Sequence, residues 1–118
     1  MIGEAVLNKR ELGTQKELLA MQYLRQQGMI ILERNFRCRM GEIDLIARDG
    51  SYLVFVEVKY RTTNRYGSPL EAVNVRKQQT IRKVAQYYLL GRKQTDAPVR
   101  FDVVGICGEE ITHIKNAF

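Results

Sequence analysis

Gly41 to Arg61 reads GEIDLIARDGSYLVFVEVKYR. Asp-Gly between two alternating apolar runs is the strongest short-range hairpin signal, so this stretch decides the fold. With Asp49 and Gly50 as the two loop residues, Arg48 faces Ser51, Ile46 faces Leu53, Asp44 faces Phe55 and Glu42 faces Glu57. Side chains alternate along a strand, and opposed residues share a face. One face is then Ile43, Leu45, Ala47, Val54, Val56 and Val58, with Tyr52 and Tyr60 at its edges. It is apolar through its middle and must pack against another layer. The other face carries Glu42, Asp44, Ile46, Leu53, Phe55, Glu57 and Lys59, apolar near the turn and ionic at the far end. A solvated face would not hold Ile46, Leu53 and Phe55 together, so the acids are expected at the rim of a second buried surface.

In this register Asp44 and Glu57 are diagonal neighbours with backbones roughly 7–8 Å apart. Two carboxylates at that separation can converge on one small cation. Without one, Glu42 opposite Glu57 would be a destabilising like-charge pair. Hard carboxylate oxygens suit Mg²⁺ or Mn²⁺, which also take water and substrate phosphate. Lys59, two residues beyond Glu57 on the same face, could orient or activate an attacking water or neutralise charge on a phosphorane. The structural alternative is a salt bridge from Lys59 to Glu57 or Glu42. A three-residue loop would turn the two strands' faces over and undo the grouping.

Outward from the hairpin, the chain has one domain's length. Its 118 residues allow a single modest core. Hydrophobic content of 45% marks a folding chain. A first helix is expected from about Leu12 to Gln27, stopping at Gly28, with residues 1–10 frayed. MIILERNFR, from Met29, reads as a strand. Arg61 to Ser68 reads as a loop. Ser68-Pro69-Leu70-Glu71 is a helix start, with serine as cap, proline first and glutamate three on. Asn74 can cap again, so a short turn would precede a long helix from Val75 to Leu90, ending at Gly91. VRFDVVGI, from Val99, has the pattern of a buried strand, and ITHIKNAF can add a last one. The order α-β-β-β-α-β, with a hairpin inside it, predicts an α/β domain with a mixed central sheet flanked by helices.

Composition excludes some functions. No apolar run approaches the roughly 18 residues of a membrane span, and MIGEAVLNKRELG has no signal-peptide apolar region, so a cytoplasmic address is expected. Cys38 and Cys107 are far apart and read as ordinary reduced side chains. His113 is the sole histidine and has no nearby nucleophile or supporting cast, so no Ser-His-Asp or Cys-His set is read here. There is no glycine-rich phosphate loop. Net charge is +6, and residues 61–100 concentrate it, with nine basic residues against Glu71 and Asp96. A basic half beside an acidic cluster points to a polyanion partner and a metal, with a solvated basic helix face as the alternative.

Both helices add candidates. Glu17 shares a stripe with Ala20, Met21 and Leu24, where an unpaired charge is costly. A cation, Lys59 or an arginine could hold it. Lys77 shares a stripe with Ile81, Val84, Ala85 and Tyr88, and can snorkel past the core towards phosphate. Arg76, Arg82 and Lys83 lie elsewhere on that helix and read as solvated. Asp102, inside a strand, is expected to pair with an arginine.

GEIDLIARDG, VFVEVKYR, GSPLEAVNVRKQQTIRKVAQYYL, RFDVVGI and the closing HIKNAF together resemble the YraN family of small bacterial proteins. The likeness runs from about Gly13 to Phe118. That family lies in the restriction-endonuclease-like, or PD-(D/E)XK, superfamily and is similar to archaeal Holliday-junction resolvases. The resemblance implies the same α-β-β-β-α-β core. It assigns Asp44 as the first metal-binding acid, Glu57 as the second, Lys59 as the lysine of Glu-x-Lys and Glu17 as the helical glutamate of the resolvase-like branch. Gly41-Glu42-Ile43-Asp44 stands where the literal motif has Pro-Asp. The expectation is a nuclease using Mg²⁺ or Mn²⁺ to hydrolyse DNA phosphodiesters. Asp44, Glu57, the Val58 carbonyl and Glu17 would hold metal, and Arg61, Arg65 and Lys77 would hold phosphates. Cleavage of both strands of a junction would favour a homodimer. The alternatives are a nucleic-acid-binding module with a vestigial acid pair and a protein-interaction domain facing an acidic partner.

Overall fold

The computed structural model describes residues 9–62 and 68–118. Helix α1 (Lys9–Gln26) is followed by strands β1 (Ile30–Cys38), β2 (Gly41–Asp49) and β3 (Tyr52–Arg61). A 3-10 turn (Pro69–Ala72) and helix α2 (Val75–Gly91) lead to β4 (Val99–Cys107) and β5 (Glu110–Ile114). The five strands form one sheet in chain order. Only β3 and β4 are parallel, because α2 crosses over between them, and the other neighbours are antiparallel. This is the expected mixed α/β architecture, with β5 as its last strand.

Local chemistry sets the ends of the elements. Lys9 and Arg10 are already helical, which corrects the frayed start expected there, and residues 1–8 lie outside the described residues. Gly28 takes φ +92, and the Met29 N–H closes on the Leu24 carbonyl at 3.0 Å, a left-handed stop that only glycine adopts without strain. The Ser68 hydroxyl accepts from the Leu70 N–H, and the Asn74 carboxamide accepts from the Lys77 N–H at 2.9 Å, so both anticipated caps form. Helix α2 runs one residue further than expected, to Gly91.

The hairpin register differs from the sequence expectation. Asp49 pairs with Tyr52, Ile46 with Phe55 and Leu45 with Val56, which slides the pairing by two residues. The two loop residues are Gly50 and Ser51, not Asp49 and Gly50. Gly50 has φ +62, and a left-handed glycine at the first loop position is what a type II′ turn requires. A shift of two keeps each residue's face but changes who opposes whom. Asp44, not Glu42, is now level with Glu57.

A second correction concerns Ile43. Leu45, Ala47, Val54 and Val56 pack with Ala20, Met21 and Leu24 of α1, and Val58 joins them in part. Ile46, Leu53 and Phe55 pack with Ile81, Val84, Ala85 and Tyr88 of α2. Ile43, expected with Leu45, lies in the α2 cluster. Strict alternation would put residues 43 and 46 on opposite faces, so β2 slips between them, at Asp44. Opposite this point in β1, Asn35 has φ +50, while the bulge between Ile31 and Glu33 lies opposite Ala47 and Ile46. The sheet is therefore sandwiched between two helices.

Candidate active site

Strand β3 lies in the middle of the sheet and carries Glu57 with only 4% of its side chain exposed. The ladder between β2 and β3 ends at Leu45 and Val56. Beyond it the Asp44 side chain takes the place of a backbone acceptor, and the Val58 N–H donates to Asp44 Oδ2 at 2.8 Å. The slip in β2 thus turns the Asp44 carboxylate towards the Glu57-Val58 backbone.

The electrostatics of the pair are asymmetric. Two ammonium groups flank Glu57. Lys59 Nζ lies 3.5 Å and Lys77 Nζ 3.6 Å from the same oxygen, Oε2. Burial and then the negative charge of Glu57 push the Asp44 carboxyl up to about 8. The Val58 N–H pulls the other way but does not offset them. The metal-free site therefore stores a proton at neutral pH, because burial and the adjacent Glu57 charge both disfavour a second carboxylate.

Glu17 stands apart from this pair. It lines a polar depression of about 230 Å³ with Arg10, Thr14, Asn35, Arg37 and Glu42. Burial raises its carboxyl, and the hydrogen bond from Asn35 works against that rise. Its effect on Asp44 is the weakest of those acting there. Glu42 is engaged by Arg37 at 2.7 Å and does not face Glu57, which corrects the like-charge pair expected from sequence. Among the described residues, no three His, Cys, Asp or Glu side chains converge to hold a metal ion.

The basic residues divide. Lys77 reaches Glu57, a contact that the helical stripe alone did not signal. Arg61 donates from Nη2 to the Ser68 carbonyl at 2.9 Å and lines a small recess with Lys59, Pro69, Gly105, Cys107 and Thr112. Arg65 lies outside the described residues. Arg82 is exposed, as expected, and also lies over Phe101 and Phe118. Asp102 is wholly buried and takes Arg100 at 2.9 and 3.0 Å, as expected, together with His113 at 2.7 Å and the Asn116 N–H at 3.0 Å. His113 is thus a buried structural partner. Asn35 was not anticipated as part of any site. Its type was the available signal, since asparagine tolerates the left-handed region.

A five-stranded mixed sheet between two helices, with acids on adjacent strands and Glu-Val-Lys on the central one, defines a restriction-endonuclease-like α/β domain. The chain belongs to the uncharacterised protein family UPF0102, the YraN family, whose model matches residues 16–106. A UPF0102 protein of Lachnoclostridium phytofermentans is 54% identical over 113 residues, 95% of this chain and 96% of its own length. One from Thermodesulfovibrio yellowstonii is 49% identical over 108 residues, 92% of this chain and 96% of its own. One from Legionella pneumophila is 45% identical over 112 residues, 92% of this chain and 95% of its own. Among the described residues no helix is long and apolar enough to cross a membrane.

Proposed function

We propose that the protein is a metal-dependent nuclease that hydrolyses DNA phosphodiester bonds. The observation that carries this reading is the Asp44–Glu57 pair. Two carboxylates are level on adjacent strands, and the negative charge of Glu57 helps keep Asp44 protonated up to about 8. Such a pair is a poor structural device, since an apolar pair would hold the strands together at less cost. It fits a small hard divalent cation, Mg²⁺ or Mn²⁺, which replaces the stored proton and takes its remaining ligands from water and phosphate oxygens.

Asp44 and Glu57, with the Val58 carbonyl, would hold that ion. When bound, it supplies Lewis acidity at the phosphate and a more acidic attacking water. Lys59, on the same strand and face as Glu57, would orient the attacking water or neutralise developing charge. Glu17, in its separate depression, would act on a second ion or on the approaching strand. Arg61, Arg65 and Lys77 would hold phosphates on either side. The protein would act in the cytoplasm, and cutting both strands of a junction would call for two copies.

A non-catalytic nucleic-acid-binding module is the second reading. It is favoured by the two ammonium groups that already neutralise Glu57 and by the lack of a third converging acid among the described residues. Labelled branched, flapped and linear DNAs incubated with and without Mn²⁺ separate the two. Cleavage that requires Mn²⁺ and is lost in Asp44→Asn supports the nuclease. Tight binding with no cleavage of any DNA in the set supports the binding module.

A further inference from the structure

The position of Lys77 in α2 runs against the usual rule for helix ends. It lies in the first helical turn, where its N–H is capped by Asn74, beside Arg76 and with no acid in that turn. The positive end of a helix favours acids there and disfavours cations. Such a placement persists when something negative faces it, and Glu57 does so at 3.6 Å from the ammonium. The placement is also built in. Gln78 donates from its side chain to the Val73 carbonyl at 2.9 Å, and Val73 is buried, which fixes the turn before α2.

The contact is a loose one. Lys59 and Lys77 share a single carboxylate oxygen at 3.5 and 3.6 Å, beyond the roughly 2.7–2.9 Å of a closed charge-assisted hydrogen bond. Arg37–Glu42 and Arg92–Glu33, at 2.7 and 2.8 Å, are closed. Lys77 is 36% exposed, so its flexible stem can carry the ammonium from Glu57 out to solvent.

Resting on the nuclease reading, we propose that Lys77 is a positioning residue that couples substrate to metal loading. Without DNA its ammonium occupies the charge environment of Glu57 and competes with a divalent cation. A substrate phosphate draws the ammonium away, and Glu57 is left available to the ion. Coupling between two ligands is reciprocal, so DNA tightens metal binding and metal tightens DNA binding by the same factor. The substrate class follows: a polyanion that places a phosphate at the first turn of α2, within reach of Lys77.

Mn²⁺ affinity, read by electron paramagnetic resonance, tests this in the absence of DNA. Lys77→Met keeps the stem and removes the charge. It is expected to bind Mn²⁺ about tenfold more tightly than wild type, within the usual range of site-to-site coupling. Lys77→Arg and the exposed-site control Lys83→Met should stay near wild type. With an uncleavable phosphorothioate DNA present, the gain in Mn²⁺ affinity on adding DNA should shrink in Lys77→Met by the same factor. Circular dichroism confirms that each variant is folded. Unchanged or weaker Mn²⁺ binding by folded Lys77→Met overturns the role of Lys77, and so does an equal gain in Lys83→Met. Asp44→Asn separates the two levels. If it loses Mn²⁺ binding while Lys77→Met is unchanged, only the Lys77 inference fails. If Asp44→Asn binds Mn²⁺ like wild type, or wild type binds none, the metal site and this inference fall together.

Discussion

Asp44 and Asp102 are two half-buried or buried aspartates with opposite electrostatics. Burial and Glu57 raise Asp44 to about 8, so the folded metal-free protein keeps a proton that the unfolded chain releases near pH 4. Between those values the folded state binds more protons, and each rise in pH favours unfolding. Asp44→Asn has no proton to lose and can still accept from Val58. Without metal, its melting temperature should exceed that of wild type at pH 9 by several degrees, roughly 1 kcal/mol or more, and the gap should close towards pH 4. A variant less stable than wild type at pH 9 would show that the acid is structural. At Asp102 burial also pushes upward, but His113, Arg100 and the Asn116 N–H outweigh it and hold the carboxyl below its usual range. Its contribution is present above about pH 4 and is lost as pH falls through the lowered folded value. Asp102→Ala strands Arg100 and His113 and should cost about 3–5 kcal/mol. Chemical denaturation at pH 7 measures it, and a loss under about 1 kcal/mol would contradict the buried network.

The elements that place the site meet at Gly105. This residue pairs with Lys59 across the parallel ladder, and a Cβ there would collide with the Pro69 ring. Pro69 opens the 3-10 turn that leads to α2, so Gly105 allows the turn to lie on β4 and sets where Lys77 emerges. Gly105→Ala should displace the turn and weaken both stability and DNA binding, whereas Gly13→Ala, with open space around it, should not weaken DNA binding. Equal behaviour of the two would remove the turn from the account of the site. How much of this was legible varied by element. The helix C-terminal ends, both caps and all five strands followed from local chemistry, whereas the start of α1 at Lys9 did not. The hairpin's existence followed from Asp-Gly, but its register did not, because type I′ and type II′ loops place the same dipeptide two pairings apart. Face assignments survived that error through the period of two. Ile43 did not, because a slip in β2 paired with a left-handed Asn35 in β1 is a property of two strands together. Glu42 failed for the same reason: its partner, Arg37, comes from the neighbouring strand.

At the scale of the whole molecule, the basic half is smaller as a binding surface than its count of charges suggests. Arg82 stacks on Phe101 and Phe118, Arg92 pairs with Glu33 and lies over Tyr88, and Arg100 serves Asp49 and Asp102. Arg76 and Lys93 are exposed, and Lys77 is half-exposed. Three or four phosphate contacts give a slope of about −3 for log affinity against log salt. Fluorescence anisotropy across a salt series should show that slope, and Lys77→Ala should weaken binding equally for unrelated sequences, since phosphate contacts carry no base information. Affinity indifferent to salt would point to a protein partner instead. The basic half was plain in the sequence, but which cations the fold already occupies was less so, because Phe101 and Phe118 for Arg82, Glu33 for Arg92 and Asp49 for Arg100 are distant along the chain.

Single-turnover cleavage by folded Asp44→Asn, set beside its metal-free DNA affinity, tests the acid pair most directly. Asparagine keeps the shape and the Val58 contact but removes a charged ligand. Cleavage should fall by orders of magnitude, while DNA binding without metal is kept, because metal-free Asp44 is already neutral at pH 7. Cleavage at the wild-type rate by that variant would contradict the assignment of Asp44 and Glu57 as the nuclease centre.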